Sequence, residues 1–100
     1  MLDGNFRICG EAENGQQAIE LAQTLKPDLV LMDVSMPVVG GLEATREIKL
    51  LLPRIKILIL SMHDGAQIRL SATNAGADEV ISKTAKVSEV IAAIENLLRA

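Results

Sequence analysis

Residues 27–41, PDLVLMDVSMPVVGG, constrain this chain more than any other stretch. Leu29-Val30-Leu31-Met32 runs without a polar interruption and ends abruptly at Asp33. A short continuous apolar run after a Pro-Asp turn signal reads as a strand buried on both faces, as in a parallel sheet. Asp33 then stands where the strand emerges, ahead of a loop closed by Gly40 and Gly41. In open α/β sheets, ligands bind beyond the carboxyl ends of the strands, so position alone marks Asp33 as a candidate site residue. A carboxylate there can be a nucleophile, a metal ligand or a cap.

The flanking chain alternates two periodicities. Residues 6–11, FRICGE, alternate apolar and polar side chains and read as a short strand. Asn14 offers an N-cap with Gln17 three positions on, and Ala18, Leu21, Ala22 and Leu25 follow at helical spacing until Pro27 stops the helix. A second helix is predicted over 42–51, with Ala44, Ile48 and Leu51 on one side and Pro53 beyond it. Residues 55–60, IKILIL, form the next strand, and a loop of Ser61, Met62, His63 and Asp64 follows. Asp64 and Gln67 repeat the capping spacing ahead of a helix over 65–75. That helix has a weak apolar face of Ile68, Ala72 and Ala75, with Gly76 placed as its C-terminal cap. A brief strand over 79–82 leads directly into Lys83. Val87, Val90, Ile91, Ile94, Leu97 and Leu98 then give the clearest amphipathic helix of the chain. The order βαβαβαβα implies a doubly wound parallel sheet with helices on both faces.

Composition narrows the function. With 100 residues and 49% hydrophobic content, the chain suits one small α/β domain with a core. Phe6 is the lone aromatic residue, which leaves no stacking platform for single-stranded nucleic acid. A net charge of −3 without a basic stripe argues against direct nucleic-acid binding. Cys9 is the single cysteine, a small buried hydrophobe rather than half of a disulfide framework. No signal-peptide pattern or bilayer-length apolar run is visible, so a cytoplasmic domain is expected. Dinucleotide and P-loop glycine patterns are missing, as is the nucleophile elbow of hydrolases.

The last three strands end in Asp33, Ser61 and Lys83. Parallel strands bring these ends to one edge of the sheet. A carboxylate nucleophile, a hydroxyl donor and a compact ammonium ion are what phosphoryl transfer to an acid needs. Singly, each is an ordinary strand-end residue; together they favour a site.

The same residues carry a family resemblance. The stretches GEAENGQQAIELAQTLKPDLVLMDVSMP, GLEATREIK, ILILSMHD and NAGADEVISK make the chain similar to the receiver domain of two-component response regulators, especially those preceding a LuxR-type helix-turn-helix. The resemblance implies a flavodoxin-like (CheY-like) sheet and a phosphoacceptor domain rather than a turnover enzyme. It implies that Asp33 takes a phosphoryl group from a sensor histidine kinase, that Ser61 contacts and switches with it, and that Lys83 pairs with it. It further implies Mg2+ held by Asp33 and the main-chain carbonyl of Ser35, and a LuxR-type DNA-binding output domain in a longer parent.

The departures set further expectations. The family's first strand and helix, with the acidic pair that completes its magnesium site, have no counterpart, so residues 1–100 read as one partial receiver domain beginning at the second strand. Asp3, Glu11 and Glu13 are poorly placed to replace that pair. The missing helix would share a face with the last helix. Uncovering four apolar side chains there costs roughly 6–12 kcal/mol, against a whole stability of about 5–15 kcal/mol. A longer parent, rearranged strand pairing or self-association is therefore expected. Val80 stands at the family's aromatic switch position, Thr84 where Pro or Asp commonly follows the lysine, and Gly40 where Asp is frequent. Two alternatives are a phosphorylation-incompetent, receiver-like interaction module and a haloacid-dehalogenase-like phosphatase. The latter needs a second Asp where this chain has Ser35.

Overall fold

The computed structural model describes residues 10–34, 40–62 and 66–99. Its elements run in the order α1 (Gly15–Leu25), β1 (Leu29–Asp33), α2 (Gly41–Leu51), β2 (Lys56–Ser61), α3 (Ala66–Ala75), β3 (Glu79–Ser82) and α4 (Val87–Arg99). The three described strands form a parallel sheet in the order β1-β2-β3. Of the strand expected over 6–11, residues 6–9 lie outside the described residues, while Gly10 and Glu11 belong to no strand. His63, Asp64 and Ser35 also lie outside them.

Local signals explain the boundaries. Asn14 caps α1: its Oδ1 accepts the Gln17 N–H at 2.9 Å. The Gln17 amide reaches back, but its Oε1 accepts from the Glu13 N–H at 2.9 Å, one residue before the position a regular capping box uses. Helix α1 stops before Pro27, at Lys26, whose left-handed backbone (φ 47°) lets its N–H donate to the Ala22 carbonyl. Gly76 ends α3 as its spacing predicts. With φ at 102° it adopts a conformation costly for a residue with a Cβ, and the N–H groups of Gly76 and Ala77 donate to Thr73 and Ala72. That pair of bonds is a Schellman cap.

Strand geometry sorts the core. Successive side chains point to opposite faces. Val30, Met32, Ile57, Ile59 and Val80 share one face and pack with Ala18 and Ala22 of α1, Ala44 and Ile48 of α2, and Ala72 of α3. Leu58 points the other way and is 0% exposed, beneath α4, which packs on β2 and buries Ile94. Leu31 sits directly beside Leu58 in register, yet is 40% exposed.

The expectation that β1 is buried on both faces is therefore corrected. Its α1–α2 face is covered, whereas α4 lies over β2 and leaves the outer face of β1 half open. The same geometry leaves α4 underused. Of its six apolar residues only Ile94 is buried, while Val87 is 61% and Leu98 39% exposed. Among the described residues no helix is long and apolar enough to cross a membrane.

At the amino-terminal edge of the sheet, Asp78 joins three elements. Its Oδ2 accepts the Ile57 N–H and contacts Lys49 Nζ, both at 2.8 Å, while its own N–H donates to the Ile57 carbonyl at 2.9 Å. Nothing in the sequence pairs Lys49 with Asp78, and this clasp appears only in the structure.

Candidate functional site

At the opposite edge the register does what the strand-end pattern predicts. Asp33 closes β1 and pairs with Leu60, and Ser61 closes β2 and pairs with Ser82, the residue before Lys83. Two bonds carry the alignment past the regular ladder: Val34 N–H to the Leu60 carbonyl at 3.3 Å, and Lys83 N–H to the Ser61 carbonyl at 2.9 Å. The ends of β1 and β3 thus deliver a carboxylate and an ammonium ion on either side of the β2 hydroxyl.

The side chains then meet. Lys83 Nζ lies 2.6 Å from Asp33 Oδ2, with the two side chains 26% and 38% exposed. A charge-assisted contact this short is well formed, but its partial exposure keeps its stabilising worth near 1 kcal/mol. The pair sits at a rim that an incoming group can reach. Ser61 differs, being 1% exposed within the strand end. The structure thus brings Asp33 and Lys83 into contact and sets Ser61 beside them in the sheet.

A residue whose part the sequence did not reveal is Gly41, the first residue of α2. A Cβ there would run into the carbonyl oxygen of Asp33 and lie 2.6 Å from Val34 Cα. Thr45, one turn on and fully buried, donates its hydroxyl to the Gly41 carbonyl at 2.8 Å. The GLE sequence signals a helix start, but no sequence pattern announces so close an approach to β1.

The model for "Response regulator receiver domain" matches residues 2–95. The chain belongs to this family. Receiver domains are signalling phosphoacceptors rather than turnover enzymes, which sets the phosphatase alternative aside. The chain is 40% identical over 92 residues to the response regulator UvrY of Escherichia coli, covering 92% of this chain and 42% of that protein. It is 36% identical over 92 residues to the chemotaxis protein CheY of Thermotoga maritima, covering 92% of this chain and 77% of CheY. Among solved structures it superposes on a LuxR-family two-component response regulator from Aurantimonas sp. SI85-9A1 with a TM-score of 0.83 and 38% identity, covering 88% of this chain and 63% of that one. The chain spans less than half the length of the longer relatives DegU, GacA and UvrY. The fold of this receiver domain is CheY-like, with three parallel strands and four helices among the described residues.

Receiver domains typically use Mg2+. Among the described residues no three His, Cys, Asp or Glu side chains converge as a metal site. Asp33 supplies one carboxylate, which is paired with the cation of Lys83. Mg2+ is commonly held by one or two carboxylates with waters and phosphate oxygens. Among the described residues, one carboxylate already engaged by an ammonium ion does not make a resident site.

Proposed function

We propose that this chain is the phosphoacceptor unit of a two-component response regulator, with Asp33 as the acceptor. The observation that carries this reading is the 2.6 Å contact between Lys83 Nζ and Asp33 Oδ2 at the carboxyl edge of the sheet. The donor is a phosphohistidine of a sensor kinase. An Asp33 carboxylate oxygen forms the new O–P bond, the N–P bond of the donor breaks, and the imidazole leaves with the bonding pair. Lys83 offsets the negative charge brought to the edge, which is costly beside a carboxylate. Ser61, on the strand between them, is the hydroxyl that meets the phosphoryl oxygens.

Output is assigned to a sparsely packed element that follows β2. Only Ala72 and Ala75 of α3 are buried, with Ile68 half-buried, so α3 is the element of low local stability that a new charge at Asp33 would bias. Val80, buried in the core, takes the place of the family's aromatic switch residue and leaves α3 to carry the change. A LuxR-type DNA-binding domain in a longer protein would read it out. The open faces of β1 and α4 support self-association or completion by further chain.

A second reading, a receiver-like module that binds partners without being phosphorylated, is favoured by the lack of a convergent ligand set among the described residues. Transfer from an autophosphorylated histidine kinase separates the two. The phosphoacceptor reading expects hydroxylamine-labile phosphate on the parent chain and none on Asp33→Asn. Hydroxylamine-stable label, or none at all, favours the second reading.

A further inference from the structure

We propose that Gly41 is a positioning residue for Asp33, its missing side chain setting where the carboxylate end of β1 stands relative to Lys83. The atoms that a Cβ at Gly41 would meet are the carbonyl oxygen and carbon of Asp33 and the Cα of Val34. All are backbone and cannot swing aside. Carbon contacts settle at about 3.5–4.0 Å. With Val34 Cα only 2.6 Å from the Cβ position, any side chain there demands a shift of roughly 1 Å.

Neither partner yields cheaply. The strand end is tied to β2 by its ladder and by Val34 N–H to the Leu60 carbonyl. The helix start is tied by Ala44 and Thr45, both 0% exposed, and by the Thr45 hydroxyl on the Gly41 carbonyl. The shift is therefore shared with Asp33, whose side chain is matched to Lys83 at 2.6 Å across β2. Gly41 acts through the Asp33 backbone.

The consequence for phosphoryl acceptance rests on the phosphoacceptor reading, whereas the geometry does not, so the test reads both. The five lysines Lys26, Lys49, Lys56, Lys83 and Lys86 are labelled with acetic anhydride and quantified by peptide mass spectrometry. Lys49, paired with Asp78 at 2.8 Å at the far edge of the sheet, reports whether the fold survives. Asp33→Asn gives the rate for Lys83 without its carboxylate. In Gly41→Ala, Lys83 labelling is expected to rise several-fold towards that rate with Lys49 unchanged. Phosphorylation of Asp33 by acetyl phosphate is expected to slow by about 10-fold or more, since misplacement near 1 Å can cost about 100-fold.

Unchanged Lys83 labelling in a folded Gly41→Ala overturns the proposal. If Lys49 and Lys83 rise together, the variant has lost its fold, and the labelling is repeated with an excluded osmolyte such as sucrose until Lys49 returns to its parent rate. Lys83 alone is then still expected to be raised; a Lys83 rate back at the parent value overturns the proposal. A parent chain that takes no phosphoryl group refutes the phosphoacceptor reading and leaves the labelling comparison to decide on Gly41.

Discussion

Leu31 and Leu58 are the same residue type, sit side by side in register and point to the same face of the sheet. They differ in cover alone: Leu31 is 40% exposed and Leu58 is 0% exposed. Truncation to alanine removes three carbons, at about 0.8 kcal/mol each when fully buried, or ~2.4 kcal/mol. About 60% of that, ~1.4 kcal/mol, applies to Leu31, because 40% of it already meets solvent. No cavity term is added at a site that water can fill. Leu58 loses the whole transfer term and leaves a hole beneath α4, for a total of about 3–4 kcal/mol. Urea unfolding followed by circular dichroism measures both, provided the slopes agree. A Leu58→Ala loss at least twice that of Leu31→Ala is expected. Equal losses would refute the reasoning, because they would mean that the outer face of β1 is covered in solution.

Other elements give sharper local tests. Asn14→Ala removes the cap of α1 and is expected to cost about 1 kcal/mol in the same urea assay. Gly76→Ala places a Cβ at φ 102° and 3.0 Å from Lys49 Cγ. A loss of about 1–2 kcal/mol is expected from the left-handed backbone alone, read as a lower urea midpoint. Asp78→Ala strands the Ile57 N–H and unpairs Lys49, both now held by one carboxylate oxygen. The expected loss is about 1.5–3 kcal/mol, with faster amide exchange at Ile57 as its signature.

Much of this fold is legible in the sequence because its signals are local. Helix period, the Asn14 cap, the αL glycine at 76 and the apolar strands each follow from neighbours a few residues apart. Boundaries shift only slightly: β2 spans Lys56–Ser61 rather than 55–60, and α2 begins at Gly41 rather than Leu42. The strand-end trio is legible for a related reason. Parallel register converts strand ends into neighbours without further information, and Asp33 and Lys83 do meet.

What the sequence hides is anything set by distance between elements. A run such as Leu29–Met32 announces apolar demand on both faces, but not which face α4 covers. The approach of Gly41 to the Asp33 backbone and the clasp of Lys49, Asp78 and Ile57 depend on how α2 seats against the sheet. No periodicity encodes that seating. The weak apolar face of α3 was visible, and its sparse burial follows directly.

On the proposed function, Asp33 accepts a phosphoryl group at an edge prepared by Lys83. Incubation with acetyl phosphate, with and without Mg2+, followed by intact-mass and peptide mass spectrometry, tests it most directly. A single phosphate on the peptide containing Asp33, lost in Asp33→Asn and reduced in Lys83→Ala, is the expected result. No mass increase in the parent chain, or one that persists in Asp33→Asn, would contradict it.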